Sequence, residues 1–518
     1  MRSLLVSTYE MGRQPFGIAS AAAWLRAAGW TVACVDVAKE TLREKSLTSA
    51  DLIAFHLPMH TATRLAAPII AFARRVNPAA RLCAFGLYAP LNAEWLRSLG
   101  VDEIFGGEFE DELTEWAGLK ACATSSTSDD QPQSSLSTHG QACSAVSALV
   151  EGSSFDKLRT SAVDKLRTSE PPLVTTSPFD RSAQTPLVVS LPALSAANGS
   201  NHERLPRIHF LVPDRSGLPP LSQYATLQLP DGRRRLAGYT EASRGCRHLC
   251  RHCPVVPIYN GQFRVVQADV VLADVAAQVE AGAQHLTFGD PDFFNGPTHA
   301  IRLVDAVHAA YPALTYDVTI KVEHLRRHRR LLPRLTATGC AFVTSAVESL
   351  DDQVLALFDK GHTRADFVEV LTLCRDAGVT LVPTFVAFHP WLTLETYCDL
   401  LDTIARLDLV DHVAPIQLAI RLLIPEGSRL LALDEIRPLV HRFDPATLTY
   451  RWTHPDPRVD ALQREVSSIV GTRLTADRRA LFAEISALAH DRAGLERPSA
   501  RPARQRATVP YLNEPWYC

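Results

Sequence analysis

With 518 residues and 46% apolar content, the chain can build two to four domains of about 100–200 residues, each with a sizeable core. A formal net charge of −3 and no long Lys/Arg block exclude an electrostatic footprint for nucleic acid or an anionic membrane. Met1–Val6 is apolar but runs into Ser7-Thr8-Tyr9-Glu10, too short for a signal-peptide core. No run reaches about 18 apolar residues, so a cytoplasmic protein without a membrane span is expected.

Residues 1–118 read as a small α/β unit. Ser3–Ser7, Thr31–Val37, Leu52–Phe55, Leu82–Phe85 and Asp102–Phe105 are strand-like. Ala21–Ala28, stopping at Gly29, and Ala66–Arg75 have helical spacing. Strands alternating with helices predict a parallel, doubly wound sheet. Residues 119–206 break the pattern, with Ser, Thr, Gln, Pro and Ala dominant and Asp156–Ser161 repeated as Asp164–Ser169. Such a stretch buries too little apolar surface to offset its chain entropy and reads as a disordered linker.

Order returns at about residue 207. Expected strands are Leu236–Ala242, His285–Phe288, Tyr316–Lys321, Ala341–Val347, Thr380–Phe388 and Ala414–Leu423, with helices such as Val270–Ala281 and His299–Ala310 between them. Six strand–helix repeats predict an open, partial (βα)6 barrel over 207–425, whose ligands bind at the carboxyl ends of the strands. Residues 426–495 read as a small helical region, and 496–518 as a mobile tail.

Eleven cysteines in a long chain of this kind are buried thiols, metal ligands or reactive groups, not a disulfide framework. Three of them stand in Ser243-Arg244-Gly245-Cys246-Arg247-His248-Leu249-Cys250-Arg251-His252-Cys253-Pro254, directly after a strand. Thiolates spaced four and three apart can each ligate one iron of a cubane cluster. No fourth cysteine stands at ligand spacing, which leaves one iron open to an outside ligand. A zinc site built from these cysteines with His248 or His252 is the competing reading, although zinc sites usually draw on a second pair and none is visible.

The segment resembles the radical SAM superfamily, whose signature is CxxxCxxC after the first barrel strand. The resemblance covers about residues 236–430. His252 stands where the family often has an aromatic residue. The resemblance implies a 4Fe–4S cluster on Cys246, Cys250 and Cys253, with S-adenosylmethionine (SAM) chelated at the open iron. It further implies reductive SAM cleavage to methionine and a 5′-deoxyadenosyl radical that abstracts hydrogen from a small-molecule or peptide substrate. A flavodoxin- or ferredoxin-like protein would supply the electron. Gly289 and Asp290, in Gly289-Asp290-Pro291-Asp292, are similar to the family's motif for the SAM amino group. Glu348 and Ser349 are similar to a polar pair near the SAM ribose. Either pair also suits a turn or a helix cap. Lys321, His389 and Arg421, near strand ends, are substrate-site candidates that also suit structural roles.

A doubly wound unit ahead of such a barrel is similar to the cobalamin-binding arrangement. Yet the first loop, Tyr9–Gly17, has no histidine, and His56 and His60 follow a later strand without the usual Asp-x-His-x-x-Gly. A degenerate unit that binds substrate or supports the barrel is therefore expected, with a cobalamin-dependent methyltransferase as the alternative. Cys34 and Cys83 in strands, and Cys374 and Cys398 on helices, are expected in cores. The end of the chain, Glu514-Pro515-Trp516-Tyr517-Cys518, resembles an uncharacterised radical SAM group with a Cys-Sec-Ala-Glu-Pro or Cys-Cys-Ala-Glu-Pro tail. That resemblance predicts a stop at a selenocysteine codon and gives Cys518 a redox or catalytic role.

Overall fold

The apolar runs of the first hundred residues become the middle of a sheet. In the computed structural model, which describes residues 1–123 (side chains through 118), 208–471, 477–496 and 509–512, β1 is Arg2–Ser7, β2 Thr31–Asp36, β3 Leu52–His56, β4 Arg81–Phe85 and β5 Glu103–Phe105. They lie in the order β2-β1-β3-β4-β5, and every pairing is parallel. β1, β3 and β4 are covered on both faces, which is why they read as continuous apolar runs, while β2 at the edge alternates. The helix Phe16–Ala27 packs its alanine-rich surface close against the sheet, and Leu5, Ile18, Leu25, Trp30, Phe85 and Phe109 share one core.

Asp36, at the carboxyl end of β2, is buried. Burial pushes its carboxyl up to about 7, against the hydrogen bond from the Ala38 N–H. The folded state therefore holds a proton that the unfolded chain has lost between about pH 4 and pH 7, and stability falls as pH rises through that window. Asp36→Asn keeps an acceptor for Ala38 and removes the charge. It is expected to gain about 2–4 kcal/mol over the parent near pH 8 and almost nothing near pH 4 in urea unfolding. Parallel pH profiles for the two proteins would refute this.

The second sheet supplies the barrel. β6 is Thr226–Gln228, β7 Arg234–Thr240, β8 Ser243–Gly245, β9 Phe263–Val265, β10 His285–Phe288, β11 Thr315–Thr319, β12 Cys340–Glu348 and β13 Leu381–Phe385. The order β13-β12-β11-β10-β7 is parallel throughout, and β6 adds to β7 in the antiparallel sense. This sheet curls into a half barrel. Gly282, Gly339 and Gly378 end helices with φ of +98°, +93° and +69°, a conformation glycine enters without a Cβ penalty.

Three expectations change. The sixth strand, Ala414–Leu423, is a 3-10 turn at Pro415–Leu418 and then one parallel bridge, Phe388 to Arg421. Pro415 has no N–H for a ladder and favours the turn. Residues 426–495 are not all helical. Val440–Asp444 and Thr449–Trp452 form an antiparallel hairpin, β14 and β15, because Val440, Tyr450 and Trp452 pack with Leu422, Ile424 and Phe358 in a local core. The helices there are Pro457–Gly471 and Arg478–Ala493. Within the expected mobile tail, Tyr511–Leu512 form β16 against the edge of β6, with Arg478 over the Tyr511 ring. β6 is short, and pairing satisfies an edge that would otherwise stay open. The expected linker beyond residue 123, and Cys518, lie outside the described residues.

Both sheets belong to one compact unit. The loop after β1 is tied to the segment before β6, since the Ala225 N–H donates to the Gly12 carbonyl at 2.8 Å and Gln14 Nε2 to the Pro219 carbonyl at 2.9 Å.

Candidate metal centre

The cysteine loop, residues 246–262, hangs between β8 and β9, a two-stranded clip beyond the carboxyl end of β7. Gly245 sits at φ +76°, and a Cβ there would stand 2.5 Å from the Gln262 carbonyl oxygen, so the clip closes only on glycine. The entry is pinned by Asp290, which accepts from the Ala242 N–H at 2.9 Å and from Ser243 Oγ at 2.5 Å. Burial pushes the Asp290 carboxyl up to about 7 despite these donors. Asn295 accepts from the Arg247 N–H at 3.2 Å and donates to the Gly245 carbonyl at 3.3 Å. The Arg251 N–H donates to the Phe358 carbonyl at 2.9 Å.

Arg244 anchors the clip. Its Nη1 donates to Glu110 Oε1 at 2.6 Å and its Nε to Glu241 Oε2 at 2.7 Å, while Phe16, Phe109 and Phe210 surround the guanidinium. Glu110 begins the helix that follows β5, so one buried cation joins the first sheet's layer to the cysteine loop.

Negative charge on Cys250 disfavours charge on Cys246 and, together with Cys246, on Cys253, so the three thiols stand near one another. Burial raises the Cys246 thiol and pushes Cys253 up to about 12. Three thiols in such a place ionise when a metal takes them, with release of protons. Two buried lysines offset the resulting charge. Lys321 Nζ stands 3.7 Å from Cys250 Sγ, and Lys360 is held charged by Glu348 and by the Cys250 and Cys253 sulfurs, against its burial. Among the described residues, the one trio convergent enough for a single ion is His248, Asp292 and His324, which contains no cysteine. A zinc ion about 2.3 Å from three sulfurs would need them equally close, so a larger cluster with one iron per thiolate fits this loop better than a zinc knot. No fourth cysteine joins these three among the described residues: Cys34, Cys83, Cys374 and Cys398 are buried in cores, and Cys340 Sγ donates to the Phe342 carbonyl.

Glu348 ends β12 at φ +69° beside a register shift, and a non-glycine residue held there marks a strained, over-determined position. Its Oε1 meets Lys360 Nζ at 3.3 Å and His252 Nε2 at 3.1 Å. Burial alone would raise this carboxyl, but Lys360 and His252 bring it down to about 2. His252 also packs on Phe358, with ring centroids 4.6 Å apart, and so serves as the flat ring at its position. Ser349 accepts from the Asp351 N–H at 3.1 Å, a local turn. Gly289 makes room for Tyr239, because a Cβ would sit 1.8 Å from Tyr239 Oη. Lys321 reaches the site. Arg421 does not: it bonds Asp460 and the Trp452 carbonyl and lies over the Trp452 ring. His389 is buried against Phe358 and Trp391.

Sequence reasoning missed Lys360 and His362. Burial, with Lys360 and Lys321, pushes His362 down to about 4. They follow a short helix in Asp359-Lys360-Gly361-His362, a charged turn with no motif spacing, and only burial distinguishes them. His362 also lines an open polar cleft of about 680 Å³ with Glu323, Arg327, His328 and Asp366.

Residues 240–407 match the family description "Radical SAM superfamily". The three cysteines, the clip that carries them and strands β10 to β13 lie within that span. Residues 240–407 form a radical SAM superfamily domain. Curated relatives include the tRNA-2-methylthio-N(6)-dimethylallyladenosine synthases of Chlorobium luteolum, 27% identical over 172 residues, and of Chlorobium chlorochromatii, 27% identical over 162. The first match covers 30% of this chain and 36% of that protein, so the chain spans about a third of the length of the curated relatives it matches. Among solved structures, the cobalamin-dependent radical SAM enzyme OxsB superposes with a TM-score of 0.61 at 13% identity, over 95% of this chain and 71% of that one. The radical SAM methyltransferase TsrM from Kitasatospora setae, with cobalamin and a [4Fe-4S] cluster bound, gives 0.54 at 15% identity, over 95% and 99%. The α/β fold thus resembles that of cobalamin-dependent radical SAM enzymes, and the half barrel is the radical SAM domain.

The first sheet has a ligand crevice of its own. In the order β2-β1-β3-β4-β5 the ligand crevice lies at the carboxyl ends of β1 and β3. There His56 Nδ1 is 2.6 Å from Glu10 Oε1, and the ring packs on Phe85. Gly17 and Gly86 close over it, since a Cβ at Gly17 would stand 2.1 Å from His56 Nε2. His60 Nε2 meets the Thr447 carbonyl at 2.5 Å, and Phe16 and Arg13 cover Tyr239. The chain's own Glu10, His56 and Phe85 line this crevice. Among the described residues, no helix is long and apolar enough to cross a membrane.

Proposed function

We propose that the chain is a radical SAM enzyme whose Cys246, Cys250 and Cys253 hold a 4Fe–4S cluster and whose substrate is a polar small molecule or a peptide. The observation that carries this reading is the three-cysteine loop, clipped to the carboxyl end of β7 inside a radical SAM domain, with two buried lysines behind it. When bound, such a cluster supplies one electron to cleave SAM. The chain's own part is to hold and neutralise: Lys321 and Lys360 offset thiolate charge, and Glu348 keeps Lys360 protonated and fixes His252. Gly289 and Glu348 stand at the strand ends where SAM would lie, while Asp290 spends both oxygens on the loop. The charged cleft beside His362 suits a polar substrate over an apolar one. A flavodoxin- or ferredoxin-like reductant and a cytoplasmic setting complete the proposal, consistent with eight described cysteines that are all free thiols. Membership of the Cys-Cys-Ala-Glu-Pro tail group rests on the sequence Glu514–Cys518 alone.

Anaerobic reconstitution with iron and sulfide, followed by dithionite and SAM, is expected to yield a brown protein that forms 5′-deoxyadenosine. A colourless protein that binds zinc through these cysteines would overturn the proposal.

A further inference from the structure

Beside the cysteine loop, but pointing at different partners, stand three groups that the proposed chemistry does not use. His248 lies between Cys246 and Cys250, Asp292 follows β10, and His324 is on the short helix Val322–Arg327 after β11. Asp292 and His324 are buried, 0% and 3% exposed, and the His248 side chain is 17% exposed. One ligand atom from each lies within 4.8 Å of the others. His324 Nδ1 approaches Asp292 Oδ2 at 2.7 Å, and His248 Nε2 stands 3.7 Å from the same oxygen. The short contact lacks hydrogen-bond geometry, and all three atoms are buried without a hydrogen-bond partner. Apart from the His324–Asp292 ion pair, these buried donors and acceptors converge on one point without a hydrogen bond, which native structures avoid unless something joins them.

The surroundings are those of a ligand set. Asp292 Oδ1 accepts from the Phe294 N–H at 3.2 Å, which fixes the carboxylate and aims Oδ2 at the histidines. His248 Nδ1 faces Glu323 Oε2 at 3.6 Å, which sets a carboxylate behind this imidazole, just beyond hydrogen-bond distance. The His324 ring is held between those of His248 and His328, with centroids 4.8 and 5.8 Å away.

We propose that His248, Asp292 and His324 form a second, mononuclear site for a divalent transition metal of the zinc class. Two imidazoles and one carboxylate suit zinc, and three protein ligands leave a coordination position open. The site ties the cysteine loop to the ends of β10 and β11 and places a Lewis-acidic ion beside the cluster loop, separate from the sulfur ligands.

The test uses the full chain, anaerobically reconstituted with iron and sulfide and dialysed against zinc, with both metals counted. The parent is expected to hold about one zinc ion besides about four irons. His324→Asn, and Asp292→Asn, which keeps the acceptor for Phe294, are expected to lose zinc to background and keep their iron. Cys250→Ala is expected to lose iron and keep zinc. Cobalt in place of zinc should show ligand-field bands without thiolate charge transfer. A parent that takes up no zinc would overturn the site. So would zinc that survives both His324→Asn and Asp292→Asn, or that leaves with Cys250→Ala alone.

Discussion

Cys250→Ala is expected to abolish cluster assembly and bring 5′-deoxyadenosine formation to background, a loss on the order of a hundredfold or more, since removing even a supporting residue costs metal sites about 10–100-fold. Cys250 is the most buried of the three cysteines and the one nearest Lys321, at 3.7 Å. Its loss leaves two thiolates, too few to hold a cubane on this loop. It also leaves Lys321 and Lys360 with less negative charge beside them. Lys360 keeps Glu348 at 3.3 Å, so the fold should survive and the protein should stay monodisperse. Iron analysis and product quantification on the same preparation separate the two effects. Parent-level 5′-deoxyadenosine from the variant would remove Cys250 from the ligand set.

Arg244→Met is expected to cost about 3–5 kcal/mol of stability, as breaking a buried ion pair from one side does. Methionine keeps much of the volume against Phe16, Phe109 and Phe210. What it removes is the cation that bridges Glu110, which is 0% exposed, and Glu241. Burial already raises the Glu241 carboxyl, and Arg244 opposes that rise. Two carboxylates in a dry site cannot both stay charged without it. The deficit should shrink in acid, where the carboxylates take up protons, and adding Glu110→Gln should recover part of it. Cys246 lies two residues beyond Arg244, so iron content after reconstitution should fall in step with stability. Urea unfolding that shows a change below about 1 kcal/mol would mean that packing alone holds the clip.

The parallel sheets were legible because buried parallel strands need apolar residues on both faces, and β1, β3 and β4 carry them. The missing sixth barrel strand and the hairpin at 440–452 were not. Pro415 sits in a run that reads as apolar, and the hairpin is shaped by contacts with Leu422, Ile424 and Phe358. Local periodicity carries no record of such partners.

The site divides in the same way. Three cysteines spaced four and three apart, directly after a strand, need only local chain geometry to converge, and sequence by itself determined that loop. Lys360 beside Glu348, the Asp290 clamp on Ala242 and Ser243, and Arg244 between Glu110 and Glu241 link residues 12, 47–48, 134 and 3 positions apart. Only the tertiary structure decided these. The free energy of a buried charge depends on what folding brings against it from other strands, and a carboxylate written in a turn motif is equally able to cap, to clamp or to bind until its neighbours are in place.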